Sequence, residues 1–364
     1  MTSDKADEPL VKENVPLKEL NTFGLDVRAR YFATIDSEAC LEKLIDERIF
    51  RHRKVLILGH GSNVLFSSDY DGLVARMCLK GKRLVREDAD RVVLEVWGGE
   101  DWSDLVTYTV DRGWGGIENL AMVPGTVGAA PIQNIACYGQ NLVDVFVSLD
   151  AVDRTTGTLR TFTKEECAFS YRESMFKGSE GKRYLVTKVR LSLSKDPVTD
   201  TSYHSRYDSI ENELKIIARP PYTIGDVYRA VCAIRSRKLP DVKEVGSAGS
   251  FFKNPVVGRE KVTELRRMIP RLQVYPVDQL LYSQGNKGPV DDSARVKVPA
   301  GWLLEEMGWK GRRIGNCGLW PQHALIVVNY GGATPRELLA FVETVRQEFF
   351  QRYGIWLENE VNIV

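Results

Sequence analysis

Two glycine-rich stretches hold the residues best suited to chemistry. The first, Gly59-His60-Gly61-Ser62-Asn63, follows directly on the apolar run Val55–Leu58. A strand that ends in a glycine loop can offer backbone amides to a phosphate, and here the Ser62 and Asn63 side chains as well. A plain tight turn is the other reading of that loop. The second stretch, residues 113–141, packs Gly113, Gly115, Gly116, Gly125, Gly128 and Gly139 into a run with almost no charge. Its glycines remove side chains where backbone must approach a partner, while Pro124 and Pro131 fix φ and withhold donors. An amide-lined, mostly uncharged groove suits a long ligand with phosphates at one point and a flat heterocycle at another. A Gly/Pro-rich connector is the competing reading.

A dinucleotide fingerprint of the hydride-transfer type needs a helix to open directly after the glycines, so that its N-terminus faces the pyrophosphate. After Asn63 the chain instead continues Val64-Leu65-Phe66, a turn at 69–72, and Leu73-Val74-Ala75. That reads as strand and hairpin and argues against a Rossmann domain.

The 364 residues are too many for one ordinary core, so two or three domains are expected. The composition, 43% hydrophobic and 27% charged with a net charge of +1, is that of a soluble globular protein. So balanced a chain has no global attraction for nucleic acid or anionic lipid, and an anionic partner must be caught at a local site. The expected partners are small molecules, with neither nucleic acid nor membrane. No run of about 18 apolar residues occurs, and the first residues are charged, so a cytoplasmic protein is expected; separately from those features, the expected state is a monomer. The six cysteines and four histidines are scattered without CxxC or HExxH, and no bound metal is expected.

Alternation and capping signals outline the elements that position these stretches. Ser37 caps a helix to about Glu47, and Asp101 caps another to about Arg112. Strands are expected at 91–96, 143–152, 159–162 and 183–193, and Thr163 with Glu166 has the spacing of a capping box opening a short helix. Residues 195–219, with Tyr203, His204 and Tyr207, read as a long loop. Thr223 with Asp226 opens a helix that Pro240 ends. Pro299 opens one that buries Trp302, Leu303 and Met307, and Thr334-Pro335 opens the last, which Gly354 ends. As a strand, the tail would put Leu357, Val361 and Ile363 on one face and Glu358, Glu360 and Asn362 on the other. Strands with helical inserts indicate an α+β protein.

Several ordered motifs together resemble the UDP-N-acetylenolpyruvoylglucosamine reductases. They are GHGSNVLF at 59–66, GGIENLAMVPGTVGAAPIQNIACYG at 115–139, YRESMFK at 171–177, RKLPD at 237–241, AGSFFKNP at 248–255, PAGWLLE at 299–305 and LENEV at 357–361. The resemblance implies an α+β fold with an FAD-binding domain of the vanillyl-alcohol-oxidase type and a smaller substrate-binding domain. On it, residues 1–20 are an N-terminal extension, 21–194 the FAD-binding domain with lobes at 21–80 and 81–194, 195–222 a substrate-closing loop, 223–354 the substrate-binding domain, and 355–364 a strand returning to the active site. It also implies non-covalent FAD, NADPH as co-substrate, and reduction of the enolpyruvyl ether of UDP-N-acetylglucosamine to UDP-N-acetylmuramate for peptidoglycan precursors. Hydride passes from NADPH to flavin N5 and on to the terminal enolpyruvyl carbon, and the neighbouring carbon is then protonated. A non-catalytic flavin-binding module and a sugar-acting flavin oxidase are the alternatives.

Residue by residue, the resemblance implies that Arg172 stabilises charge on the substrate carboxylate, that Ser250 donates the proton, and that Glu360 assists at the active site. An always-charged, bidentate guanidinium suits the first role. Taken alone, the three read as a surface arginine, a turn serine and a solvated carboxylate near a chain end. The same resemblance assigns Gly59, Gly61, Ser62 and Asn63 to the FAD pyrophosphate, and Pro124, Gly125, Thr126, Gly128 and Ala129 to the cofactor groove. Tyr171, Asn254, Lys238 at the UDP diphosphate and Tyr207 as the loop tyrosine, with Tyr203 as its runner-up, are the implied substrate contacts. Lys238 also reads as a helix C-terminal lysine facing the dipole. Asn362 stands where some relatives carry an arginine, and Cys137 replaces a more familiar alanine.

Overall fold

The computed structural model describes residues 9–201, 209–277 and 295–364. Tyr203, His204 and Tyr207 lie outside the described residues. The chain opens with β1 (Lys12–Pro16), β2 (Arg28–Ile35), helices α1 (Glu38–Asp46) and α2 (Arg48–His52), β3 (Val55–Leu58), β4 (Val64–Leu65) and β5 (Tyr70–Met77). Four of these strands form a sheet in the order β1-β2-β5-β3, in which β1 runs antiparallel to β2 and the rest are parallel. Lys12–Pro16 therefore contributes a sheet edge, and Leu17 just after it is fully buried. Ser37 caps α1 through the Cys40 amide, as the sequence indicates.

No hairpin joins β4 to β5. β5 is hydrogen-bonded on both edges, by β2 and by β3, so β4 must find its ladder partner elsewhere. It takes the chain end.

Next come β6 (Lys82–Glu87), β7 (Arg91–Trp97), α3 (Trp102–Val110), β8 (Ala136–Cys137), β9 (Gln140–Asn141), α4 (Leu142–Val145), β10 (Phe146–Asp153), β11 (Leu159–Thr163) and β12 (Tyr184–Ser194). The order β11-β10-β12-β7-β6 makes an antiparallel sheet, whose β12 alternates buried and half-buried residues from Thr187 onward. A capping box at Asn141 and Asp144 coils residues 142–145 into α4, so the strand expected from Val143 begins at Phe146. Thr163 and Glu166 do exchange cap bonds, at 2.9 and 3.3 Å, yet no helix follows. Ala168 at φ +46° turns the chain out of the helical path after one turn.

Helix α5 (Ile210–Ile217) interrupts the expected loop. It buries Ile210 and Leu214 and pairs Glu213 with Arg237 of α6 (Ile224–Lys238). The remaining elements are β13 (Gly246–Ser250), β14 (Val256–Gly258), α7 (Arg259–Met268), β15 (Tyr275–Pro276), β16 (Arg295–Lys297), α8 (Ala300–Glu306), β17 (Arg313–Ile314), β18 (Cys317–Trp320), β19 (His323–Asn329), α9 (Pro335–Tyr353) and β20 (Asn362–Ile363). A third sheet runs β13-β19-β18-β17, and β14-β16-β15 forms a small one. Helix α9 has its capping box at Thr334 and Glu337, Pro335 in the first turn and Gly354 at φ +62°. Its buried Leu338, Phe341, Val342, Val345 and Phe349 follow the helical repeat. They join Phe23, Leu58, Phe66 and Tyr70 in one apolar cluster, so the two ends of the chain share a core.

In the tail β20 runs parallel to β4, and Asn359 makes an isolated antiparallel bridge to Phe252. Leu357 and Val361 are buried as expected, whereas Ile363 is exposed and it is Val364, next in the chain, that packs against the core.

Candidate functional site

The loop 59–63 is held by its carbonyls. Thr22 donates its N–H and Oγ1 to Gly61 O, both at 3.2 Å, and Asn362 donates its N–H and Nδ2 to Asn63 O, both at 3.1 Å. What the loop can offer a ligand is its amides. A Cβ on Gly61, which sits at φ +66°, would lie 2.1 Å from Leu20 O. One on Gly59 would lie 2.7 Å from Thr126 Oγ1. Gly61→Ala is therefore expected to destabilise the fold by on the order of 2 kcal/mol and to weaken FAD retention, as read by melting temperature and flavin content. Gly113→Ala is the control: it meets the same left-handed strain at φ +72° but nothing within 4 Å, and should cost less.

Residues 113–141 are tied down by polar side chains buried among them. Glu118 accepts from the Gly116 amide at 2.6 Å and from Gln140 at 2.8 Å, and Asn119 donates to Tyr138 O at 2.8 Å. Between this stretch and the 59–63 loop lies a cleft of about 740 Å³. Gly59, Gly61, Ser62 and Asn63 line one wall, and Pro124, Gly125, Thr126 and Ala129 the other. Gly128 is set apart from the lining. It packs on Gly98, whose Cα would be 3.0 Å from an added Cβ, and it keeps two backbone segments in contact.

Among the described residues lining this cleft, only His60 and Lys177 can carry charge. Burial pushes the His60 imidazole below its ordinary value, against the opposing pull of Asp101 at 3.4 Å. An amide-lined, nearly uncharged cleft suits the phosphates and flat ring of a flavin dinucleotide.

Arg172 sits on a turn in which Ser170 and Glu173 exchange backbone hydrogen bonds at 3.0 and 3.1 Å. Three contacts dock this turn on alternate residues of the glycine-rich stretch. Ser174 Oγ donates to Ile132 O at 2.6 Å, Asn134 Nδ2 to Ser170 O at 3.2 Å, and Arg172 Nη2 to Ala136 O at 2.8 Å. Arg172 Nε lies 3.2 Å from Glu360 Oε1, and the two side chains are only 20% and 13% exposed. Both charges are thus largely withdrawn from water, where a guanidinium acts most strongly on a developing anion.

Ser250 lies on a third element, the end of β13, and lines neither cleft. Between Ser247 and Ser250 the register of β13 against β19 shifts, and Gly249 adopts φ +70°. Such a bulge re-aims the residue that follows it. Immediately afterwards Phe251 O accepts from the Glu360 amide at 2.7 Å, and the Lys253 amide donates to Glu358 O at 2.9 Å. The strand of Ser250 and the segment of Glu360 are therefore zipped together.

A second cleft, of about 1030 Å³, is lined by Thr22, Ser247, Gly249, Arg235 and Asp241, and shares Ser62 and Pro124 with the first. Arg235 spans its wall, donating to Met122 O and contacting Cys137 Sγ, both at 3.1 Å. Lys238 follows one turn later at the end of α6, where its carbonyl accepts from Trp320 Nε1 at 3.0 Å. Burial, then Lys238 and Arg235, push His323 down to about 3, so it is neutral near pH 7, and its Nδ1 accepts from the Leu325 amide. Arg235 thus lines the cleft along with a carboxylate, Asp241, and Lys238 stands beside it outside the lining.

Asn254 has an evident packing role. Its Oδ1 accepts from the Ala300 amide at 3.0 Å at the start of α8, and it contacts Tyr171. Tyr171 lies beneath Lys297, whose Nζ is 5.0 Å from the ring centroid, and burial raises its phenol above the ordinary value.

Sequence reasoning passes over Gln133, Lys177, Arg235 and Lys253. All four stand inside or beside the motifs that carry the resemblance, yet nothing in their spacing marks them. Gln133 accepts from Asn63 Nδ2 at 2.7 Å, and Lys253 bridges Glu173 and Glu358. Burial lowers the Lys177 ammonium below its ordinary value, while Glu173 raises it and Lys253 lowers it further.

Residues 241–364 match the family model of the UDP-N-acetylenolpyruvoylglucosamine reductase C-terminal domain, and residues 29–163 match that of an FAD binding domain. The UDP-N-acetylenolpyruvoylglucosamine reductase of Pseudomonas putida is 40% identical over 352 residues, which cover 97% of this chain and 98% of that one. The enzyme of that name from Pseudomonas aeruginosa is 42% identical, again covering 97% and 98%. Among solved structures, the UDP-N-acetylenolpyruvylglucosamine reductase of Thermus caldophilus superposes with a TM-score of 0.64 at 23% identity, covering 96% of this chain and 98% of its own, a likeness of fold. With relatives at 40% identity aligned over almost the whole of both sequences, the chain belongs to the UDP-N-acetylenolpyruvoylglucosamine reductase family.

Proposed function

We propose that this protein reduces the enolpyruvyl ether of UDP-N-acetylglucosamine to UDP-N-acetylmuramate, with FAD held non-covalently in the first cleft and NADPH as the donor. The observation that carries this reading is the Arg172–Glu360 ion pair at 3.2 Å, with the strand of Ser250 zipped against the segment of Glu360. Gly59, Gly61, Ser62 and Asn63 with Pro124, Gly125, Thr126 and Ala129 would hold FAD, which when bound supplies a carrier that accepts hydride from NADPH and passes it to the substrate.

The residues of the chain supply the rest. Arg172 binds the substrate carboxylate and stabilises the charge that develops there as hydride arrives at the terminal carbon of the double bond. Ser250 gives its hydroxyl proton to the neighbouring carbon. A serine is a weak acid, but an enolate carbon is strongly basic and needs only a donor in place. Glu360, beside Arg172, holds the guanidinium in register and lies near the proton path. Lys238 and Arg235 answer the diphosphate, and Tyr171 and Asn254 contact the substrate as it enters. Among the described residues no helix is long and apolar enough to cross a membrane. A cytoplasmic monomer is the reading we adopt.

The visible absorption spectrum tests this. Flavin bands should bleach anaerobically with NADPH and return when the enolpyruvyl UDP-sugar is added. A colourless protein that takes up no FAD would sink the cofactor assignment. Bands that bleach but do not return would point to a flavin-binding module, and oxygen consumption with a free carbohydrate would point to an oxidase.

A further inference from the structure

We propose that Lys177 is a positioning residue for Arg172, holding the 170–173 turn in the backbone conformation that presents the guanidinium to the substrate. This rests on the reductase reading above. Lys177 Nζ donates to Arg172 O at 2.6 Å, and Arg172 stands at φ +57°, in the left-handed region that a residue with a Cβ disfavours. A conformation of that kind persists only where its surroundings over-determine it. The Ser170 and Glu173 backbone bonds close the turn, and the Lys177 ammonium anchors the Arg172 carbonyl from outside it.

The anchor is itself fixed. Lys177 Nζ lies 3.6 Å from Glu173, whose carboxylate also takes the Lys253 ammonium, and Lys253 reaches Glu358 at 3.3 Å, two residues before Glu360. Lys177, Glu173 and Lys253 thus join the arginine turn, the serine strand and the glutamate segment behind the reacting groups. Lys177 also lines the first cleft, which opens a competing role as a cofactor cation.

The test compares Lys177→Met, Lys177→Gln and Lys177→Arg with the wild type, all loaded with FAD. Four quantities are read: FAD affinity by flavin fluorescence, the affinities for UDP and for UDP-N-acetylmuramate by perturbation of the flavin spectrum, and the rate at which the enolpyruvyl substrate reoxidises reduced flavin. UDP lacks the carboxylate that Arg172 would hold, and UDP-N-acetylmuramate carries it. The methionine variant is expected to bind FAD and UDP within about twofold of the wild type, UDP-N-acetylmuramate about tenfold more weakly, and to be reoxidised on the order of 10²-fold more slowly. Lys177→Arg, which keeps a charged donor, should stay within about threefold on all four readings. If the methionine variant cannot be purified, the same loss of product affinity is expected of Lys177→Gln, whose amide falls short of the carbonyl. Weakened FAD binding with product affinity and reoxidation intact would overturn the proposal in favour of a cofactor role, and unchanged behaviour throughout would overturn it outright. A wild-type protein whose reduced flavin the substrate does not reoxidise would instead refute the reductase reading, and this proposal with it.

Discussion

Arg172→Met is expected to bind FAD and to be reduced by NADPH at close to the wild-type rate, while reoxidation by the enolpyruvyl substrate slows by about 10³-fold, or ~4 kcal/mol of lost transition-state stabilisation. The loss is this large because the guanidinium acts at a largely buried position, 3.2 Å from Glu360 and anchored through Nη2 to Ala136 O. Water cannot replace it there at little cost. Removing it also strands the Glu360 carboxylate, which is 13% exposed, without its ion-pair partner. Arg172→Lys separates the two effects. It restores a positive charge but not two parallel donors, and should recover only part of the rate, on the order of tenfold. Anaerobic stopped-flow absorbance resolves the two half-reactions. Equal rates in all three proteins would return Arg172 to the status of an ordinary arginine at the end of a turn.

Ser250→Ala should produce a similar block by a different route. The hydroxyl is the proposed proton source for the carbon next to the one that receives hydride, and a positioned general acid contributes about 10²- to 10⁴-fold. The variant should still bleach with NADPH, and the substrate should restore the flavin bands slower by that factor. The fold should be untouched, because Ser250 is half-buried and the bulge that aims it depends on Gly249 at φ +70° rather than on the hydroxyl. Slow bleaching with normal return would move Ser250 into the NADPH half-reaction.

Much of the fold is local and legible in the order of the residues. Ser37, Asp101, Thr223 and Thr334 each cap the helix that the sequence predicts for them, since a cap involves only a residue and the amides two or three positions on. The glycine loop at 59–63 and the absence of a helix after it are legible for the same reason. Sequence and fold part company where a local signal meets a longer-range demand. Thr163 and Glu166 make their cap bonds, but Ala168 turns the chain away towards the arginine turn, which must dock on residues 132–136. Helix α5 leaves little trace in the sequence because its buried face is hardly more than Ile210 and Leu214, and Glu213 is held by Arg237 on another helix.

The site divides in the same way. Glycine spacing and low charge pointed by themselves to an amide-lined groove, while Arg172, Ser250 and Glu360 were singled out only through the resemblance that the order of the motifs carries. Only the tertiary structure decided that Arg172 pairs with Glu360, that the Ser250 strand zips to the same segment, and that Asn362 stitches the chain end to the glycine loop. It also decided that Lys177, unremarkable as a letter in YRESMFK, donates to the carbonyl of Arg172. The reason is physical. Caps, turns and positive-φ glycines are settled by interactions within a few residues, which a sequence displays directly. Ion-pair and ladder partners are settled by which edges and buried charges remain unsatisfied once the sheets have assembled, as β4 found β20 when both edges of β5 were taken.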